Sequence, residues 1–317
     1  MSEGDPQVGL FSNVPYAEYD VWPGLSRGRL WTLYTSTPRQ FQWEQDHPEE
    51  TTTEAMEDGQ AIHAALLEPE RFAETYATGG PINLRTCEPF GRNTKAYREW
   101  EAEQGKPCLS RATYDICKGI CEAVHAHPFL GPLLKTMEPE VSLQWVHAES
   151  GLLLKARLDA VNVKGGIILD LKSTQSAAAH RFGADAYRNG YLFQGGIYSD
   201  GFQAAAKREF RKYILAAVEK APPYDIQCFE LTPEQLELGR AQATDALRQY
   251  VLCQRFNDWP GYPEELQELI LPSWAGQEWT PYADGLETIL KDRATIAGRE
   301  VPPEPKDDDD LDNVIAL

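Results

Sequence analysis

Two aspartates and a lysine near the middle of the chain have the types and spacing for metal-assisted phosphate chemistry. Asp159 closes the run 152–159 (LLLKARLD), and Asp170 and Lys172 close the run 167–172 (IILDLK), with Gly165-Gly166 between the two. Both runs are rich in strand-forming residues, and a glycine pair between such runs reads as a hairpin. A hairpin folds its strand ends back on each other, so Asp159 and Asp170 become near neighbours. Two carboxylates held close repel unless a cation lies between them. Lys172 follows Asp170 by two positions and so shares its face in a strand. In the first run, Lys155 and Arg157 form the outward-pointing set. Two acids and a lysine converging on one face can hold a hard divalent cation and a phosphate together.

The elements that must position these residues are readable on either side. Residues 141–147 form the strand preceding the hairpin. Residues 176–187 and 190–208 are helix-like, and the second carries Gln194 and Tyr198 at i, i+4, on one face. Strands follow at 213–218 and 226–231. Thr232-Pro233 then starts a long helix to about Phe256, with threonine as N-cap and proline at the first helical position. Upstream, Ser26 and Thr37-Pro38 each start a short helix. Residues 54–76 form a helix broken around Pro69, with His63 in an apolar stretch beside Ala61, Ala64 and Ala65. Alone, such a histidine reads as a core residue. Residues 78–110 are loop-rich, and 111–127 are helical. The class is α/β, an α+β mixed sheet with an N-terminal helical elaboration. The expected divisions are an irregular segment 1–25, one domain over 26–285 with its core at about 140–256, and an acidic, disordered tail over 286–317.

With 317 residues and 42% hydrophobic, the chain can bury a substantial core. It has no apolar stretch long enough for a membrane span, and no basic-then-apolar start of a signal peptide. A cytoplasmic location is expected, with no membrane partner and six cysteines left as free thiols. Net charge is −19, which taken whole opposes nucleic-acid binding. Between Leu152 and Lys220, however, eleven Lys/Arg face six Asp/Glu, a local excess of +5. A basic centre in an acidic chain fits a local anionic ligand.

The order helix, three strands, helix, strand, with an acid ending strand two and Asp-x-Lys ending strand three, is the arrangement of the PD-(D/E)xK nucleases. A bare Asp-x-Lys is a weak signal; its strand context and the following glutamine-bearing helix strengthen it. A wider match is more specific. GQAIHAALLEPERF resembles the histidine motif of the RecE family, the catalytic part of exonuclease VIII. KARLDAVNVKGGIILDLKSTQSAAAHRFGADAYRNGYLFQGGIYSDGF resembles that family's nuclease core, and WPGYPEELQELILPSWA its C-terminal end. The resemblance spans roughly residues 20–280. It implies a bacterial or phage-encoded exonuclease that degrades linear duplex DNA from 5′ ends and leaves 3′ single strands for recombination and repair. It also implies a ring-like homo-oligomer. By position it implies that His63, Asp159 and Asp170, with the Leu171 carbonyl, hold Mg²⁺ or Mn²⁺, that Lys172 is the catalytic lysine, and that Gln194 and Tyr198 form the QxxxY helix. Glu140 stands where some relatives hold a further acid.

Around that site, Arg157, Arg181 and Arg188 are expected to hold the DNA backbone without reading sequence. The acidic run 307–310 and the apolar end LDNVIAL read first as a solubilising tail; the alternatives are docking on a basic partner such as a single-strand annealing protein, or lying across the enzyme's own DNA channel. Three other readings stay open: a single-strand-specific or endonucleolytic enzyme of the same superfamily, a non-catalytic DNA-binding recombination protein, and an acidic DNA mimic.

Overall fold

The computed structural model describes residues 8–47, 54–266 and 268–269. In chain order, β1 (Gly9–Phe11) and α1 (Tyr16–Asp20) lead to β2 (Leu25–Ser26), α2 (Arg27–Thr35) and α3 (Pro38–Asp46). Next come α4 (Glu54–Leu67) and α5 (Pro69–Thr75), separated at the expected proline, whose ring cannot continue the preceding helix. Short strands β3 (Ala77–Thr78), β4 (Ile82–Asn83) and β5 (Glu88–Pro89) precede α6 (Lys95–Gln104) and β6 (Cys108–Leu109). Helices α7 (Arg111–Ala126) and α8 (Leu130–Leu134) lead into the central run: β7 (Glu138–Val146), β8 (Leu153–Asn162), β9 (Ile167–Thr174), α9 (Ala179–Arg188), α10 (Tyr191–Ala206), β10 (Lys212–Glu219), β11 (Ile226–Glu230) and α11 (Pro233–Phe256).

One mixed sheet organises the site, in the order β1-β7-β8-β9-β10-β11, with β2 paired to β8. Strands β7, β8 and β9 are antiparallel neighbours, whereas β9 and β10 run parallel. That parallel pair needs a crossover, and α9 with α10 supplies it. Strand β10 shows why the sheet is covered on both sides. Tyr213, Leu215 and Ala217 enter a core with α2, α10 and α11, while Ile214, Ala216 and Val218 enter a second core with α4 and α7. The named elements all lie in one compact unit, Met1–Tyr262; of a second unit, Pro263–Leu317, positions 263–266 and 268–269 are described.

The α11 start is as read: the Thr232 side chain accepts from the Gln235 amide, and the Gln235 side chain accepts from Thr232 N, a reciprocal cap. Helices α10 and α11 cross where each carries glycine. A Cβ on Gly239 would lie 1.9 Å from the Leu192 carbonyl oxygen, and one on Gly196 would lie 2.5 Å from Arg240 N. Arg240 then ties the two helices through Asp200 at 2.7 Å.

Three expectations change. The segment expected to be irregular contains β1, paired antiparallel to β7 (Gly9↔Gln144, Phe11↔Ser142), and α1. Neither is long enough to show a period. Within 78–110 lies α6, capped by Thr94 and closed by left-handed Gly105; its sequence is too polar for the apolar pattern to announce a helix. Strand β8 runs on to Asn162, so Asp159 lies inside it rather than at its end. The expected acidic tail falls outside the described residues.

Candidate active site

The site forms where the β8–β9 ladder opens. Cross-strand pairs run Asn162↔Ile167, Val161↔Ile168 and Ala160↔Leu169. Beyond them the same register sets Asp159 against Asp170, but the strands part. The side-chain alternation of β8 slips at the same place: Leu154, Ala156 and Leu158 enter one core, Ala160 the other and Val161 the first again. The backbone groups that would continue the ladder are met by side chains. Leu171 N donates to Asp159 Oδ2 at 2.7 Å. The Leu171 carbonyl lies 3.1 Å from His63 Nε2. A carbonyl can only accept, so this bond places a proton on Nε2 and turns Nδ1 toward Asp159 Oδ1, at 3.4 Å. His63 reaches this point because Ala61, Ile62 and Leu66 seat α4 in the core that also holds Ala160, Leu169 and Leu171.

Asp170 and Lys172 share a face, as their spacing requires. Lys172 Nζ lies 2.7 Å from Asp170 Oδ2 and 3.3 Å from Gln194 Oε1, and Gln194 Nε2 donates to Asp170 Oδ1 at 2.7 Å. The three side chains close a ring. Tyr191, one turn before Gln194 on α10, lays its ring 4.7 Å from the ammonium. Asp170 Oδ2 is buried and meets the Lys172 ammonium at 2.7 Å, and a carboxylate oxygen so held keeps a second lone pair for a cation.

Glu140 is placed by an unusual backbone. It sits inside β7 rather than before it, with φ +50°, a left-handed conformation that costs free energy for a residue with a Cβ. Its carboxylate joins His63 and Asp159, one ligand atom from each lying within 4.8 Å of the others. Arg157, expected on the DNA backbone, instead points into this corner with a side chain 8% exposed. Its Nε donates to Glu140, Nη1 donates to the Val14 carbonyl at 2.7 Å, and Nη2 lies 3.7 Å from Glu68. Lys155 is inward as well, donating to the carbonyls of Asp20 and Trp22 at 2.6 and 2.9 Å. The physical reason is one that strand alternation cannot contain: residues 14–22 cover this face of β8. Lys155 and Arg157 therefore do not contribute to an open basic surface, and Lys172 is enclosed by Asp170, Gln194 and Tyr191.

The charges are interlocked. Burial opposes a charged imidazole at His63, but the Asp159 carboxylate outweighs it and raises His63 to about 9. Burial likewise opposes ionised Asp159, and His63 with Lys172 holds it below its ordinary value. Lys172 follows the same logic: burial pulls it down, and Asp170 and Asp159 push it above the usual lysine value. An imidazole nitrogen and the clustered carboxylates of Glu140 and Asp159, with the Asp170 carboxylate on the neighbouring strand, offer the donor chemistry that suits a divalent cation. A cavity of about 560 Å³ opens beside His63, Glu140 and Asp159, walled by Tyr16, Arg71 and Tyr76.

The structure thus brings together His63, Asp159, Asp170, Lys172 and Gln194, and adds Glu140. The Leu171 carbonyl, expected as a metal ligand, faces His63 Nε2 at 3.1 Å. Tyr198 shares the α10 face but packs half-buried against the α10-side core, where burial raises its phenol well above the ordinary value. Arg181 and Arg188 lie exposed on α9, Arg188 beside Asp185 at 3.3 Å. Tyr191 and Glu68 were missed. The i, i+3 spacing of Tyr191 and Gln194 was a usable signal; nothing local marks Glu68.

No curated protein matches the sequence. A solved structure from Eubacterium rectale, of a protein provisionally named an exonuclease, is similar in fold at 11% identity. That match has a TM-score of 0.52 and covers 81% of this chain and 94% of the other. The structure of SSO0001 shares 20% identity over 48% of this chain and 69% of its own, with a TM-score of 0.26, too low to support any inference. No described helix is long and apolar enough to cross a membrane. The model of a PDDEXK-like domain of unknown function, DUF3799, matches residues 35–271. The open β8–β9 ladder, with its acids, lysine and α10 glutamine, lies inside that match, and the chain belongs to this PDDEXK-like family.

Proposed function

We propose that this protein is a divalent-metal-dependent exonuclease that degrades linear double-stranded DNA from 5′ ends and leaves 3′ overhangs for recombination. The nuclease part rests on one observation: the His63–Glu140–Asp159 cluster lies beside the Asp170–Lys172–Gln194 ring at a single opening of the sheet. The polarity, the RecE-like assignment, a ring-like homo-oligomer and an annealing-protein partner rest on the sequence resemblance. The provisional name of the Eubacterium rectale protein accords with exonuclease activity.

His63, Glu140, Asp159 and Asp170 would hold the ion, Mg²⁺ or Mn²⁺. When bound, it would supply Lewis acidity to the scissile phosphate and acidify water. Lys172 acts as a cation. Asp170 and Asp159 raise its ammonium above the usual lysine value despite burial, and it would stabilise charge developing on the phosphate. Gln194 fixes both Asp170 and Lys172, and Tyr191 backs the ammonium. Tyr198, from the same helix face, helps hold that wall. Arg181 and Arg188 meet the DNA backbone from the exposed side of α9.

The test is end-labelled linear duplex against nicked and closed circular duplex of the same sequence, with Mg²⁺. Release of label from 5′ ends and an intact closed circle are expected. Cutting of the closed circle identifies an endonuclease, and degradation of single strands alone rejects the duplex assignment. Metal loading should also follow pH. A metal ligand must be the neutral imidazole, whereas His63 stays protonated below about 9. The Asp170 carboxyl, raised to about 6 by burial, has given up its proton by pH 7, so between 7 and 8 affinity for the ion rises by about tenfold per unit through His63. Calorimetric titration of Mn²⁺ at three pH values measures this slope, and a flat profile removes His63 from the ligand set.

A further inference from the structure

We infer that Arg157 is a positioning residue for the metal centre, holding the Glu140 carboxylate against Asp159 and thereby setting divalent-ion affinity. The inference rests on the metal-dependent reading above and goes beyond it, because Arg157 touches neither His63 nor Asp159 in the contacts that define the cluster.

Three observations carry it. Glu140 stands in a left-handed backbone conformation inside a strand, a state that persists where neighbours impose it. Arg157 is the neighbour with the reach to do so: it lies on the adjacent strand, and its Nε donates directly to Glu140 Oε2. It is itself fixed on several sides. Nη1 donates to the Val14 carbonyl at 2.7 Å and to Ser142 Oγ at 3.3 Å, Nη2 lies 3.7 Å from Glu68, and the guanidinium stands 6.0 Å from the Tyr19 ring centre. A planar fork with this many partners has one orientation, and a lysine cannot reproduce it. The charge matters as much as the aim. Glu140 and Asp159 offer ligand oxygens within 4.8 Å of each other, and like charges this close push apart. The Arg157 guanidinium offsets that repulsion and keeps the two acids gathered. The contact to Val14 extends the arrangement to the N-terminal segment, so residues 14–22 brace the site although they contribute no ligand.

The experiment is Mn²⁺ binding to the full chain by calorimetry, without DNA, for wild type, Arg157→Met, Arg157→Lys, Glu140→Gln and the Arg157→Met/Glu140→Gln double variant. Arg157→Met is expected to weaken Mn²⁺ about tenfold or more, and Arg157→Lys to recover part of the loss. Glu140→Gln is expected to weaken binding in the wild-type background yet add less than about twofold in the Arg157→Met background, since Arg157 acts through Glu140. Additive losses overturn the inference. So does a fall in thermal stability of Arg157→Met with unchanged Mn²⁺ affinity, which would make the residue purely structural. Unchanged Mn²⁺ affinity with weaker DNA binding in Ca²⁺ also overturns it and restores Arg157 as a phosphate contact. Failure of wild type to bind Mn²⁺ would remove the metal-dependent reading itself. That result is distinct from wild type binding while Arg157→Met binds equally well.

Discussion

Replacing Lys172 with alanine should lower the single-turnover rate of linear duplex cleavage by about 10³-fold, the range seen when a preorganised charge-stabilising donor is removed from an enzyme. The ammonium is held by Asp170 at 2.7 Å and Gln194 at 3.3 Å and backed by the Tyr191 ring, which fixes its position in the site. The change should not weaken the ion. Loss of a positive charge beside Asp170 and Asp159 leaves Mn²⁺ affinity equal or tighter, and the two effects together separate a role in chemistry from a role in loading. Lys172→Arg should stay defective by at least about 10²-fold, because a guanidinium fork does not fit a gap shaped for a point charge. Cleavage by Lys172→Ala within tenfold of wild type would exclude the lysine from the reaction.

The largest effect on stability is expected at Gly239, remote in sequence from every acid of the site. A Cβ there would overlap the Leu192 carbonyl oxygen at 1.9 Å, and one on Gly196 would lie 2.5 Å from Arg240 N on α11. Neither obstacle is a flexible side-chain end, so α10 and α11 must separate. Gly239→Ala should cost about 3 kcal/mol, as overpacking against fixed backbone does, read as the shift in urea midpoint. Since α10 carries Gln194 and Tyr191, activity should fall with stability even in the fraction that remains folded. Gly183→Ala is the control. It lies in α9, its Cβ would meet nothing within 4 Å, and helix propensity predicts a gain of roughly 0.5–1 kcal/mol. A Gly239→Ala variant as stable as wild type would show that the helix crossing has slack.

Much of the central region was legible because its signals are local. Gly165-Gly166, with Asn162 Oδ1 accepting from Gly165 N, makes the turn that sets Asp159 against Asp170. The two-residue step from Asp170 to Lys172 and the capping residues of α11 act over a few positions. His63 was visible through resemblance, because a contact between α4 and β9 leaves no trace in spacing. What stayed hidden depends on long-range cover. Lys155 and Arg157 occupy alternate positions of a strand and read as outward, yet a segment more than 130 residues earlier closes over them. The left-handed Glu140 was unreadable for a related reason. A glutamate carries no preference for that conformation, and only the assembled neighbours impose it.

The completion of the sheet by Asp159 and His63 gives the protein a built-in reporter. The Leu171 amide proton is retained by a carboxylate that the ion also needs, not by a neighbouring strand. Its exchange with deuterated solvent should therefore track the chemical state of Asp159, whereas that of Leu169, inside the regular ladder, should not. One backbone amide can then follow occupancy of the centre in solution, residue by residue and without DNA.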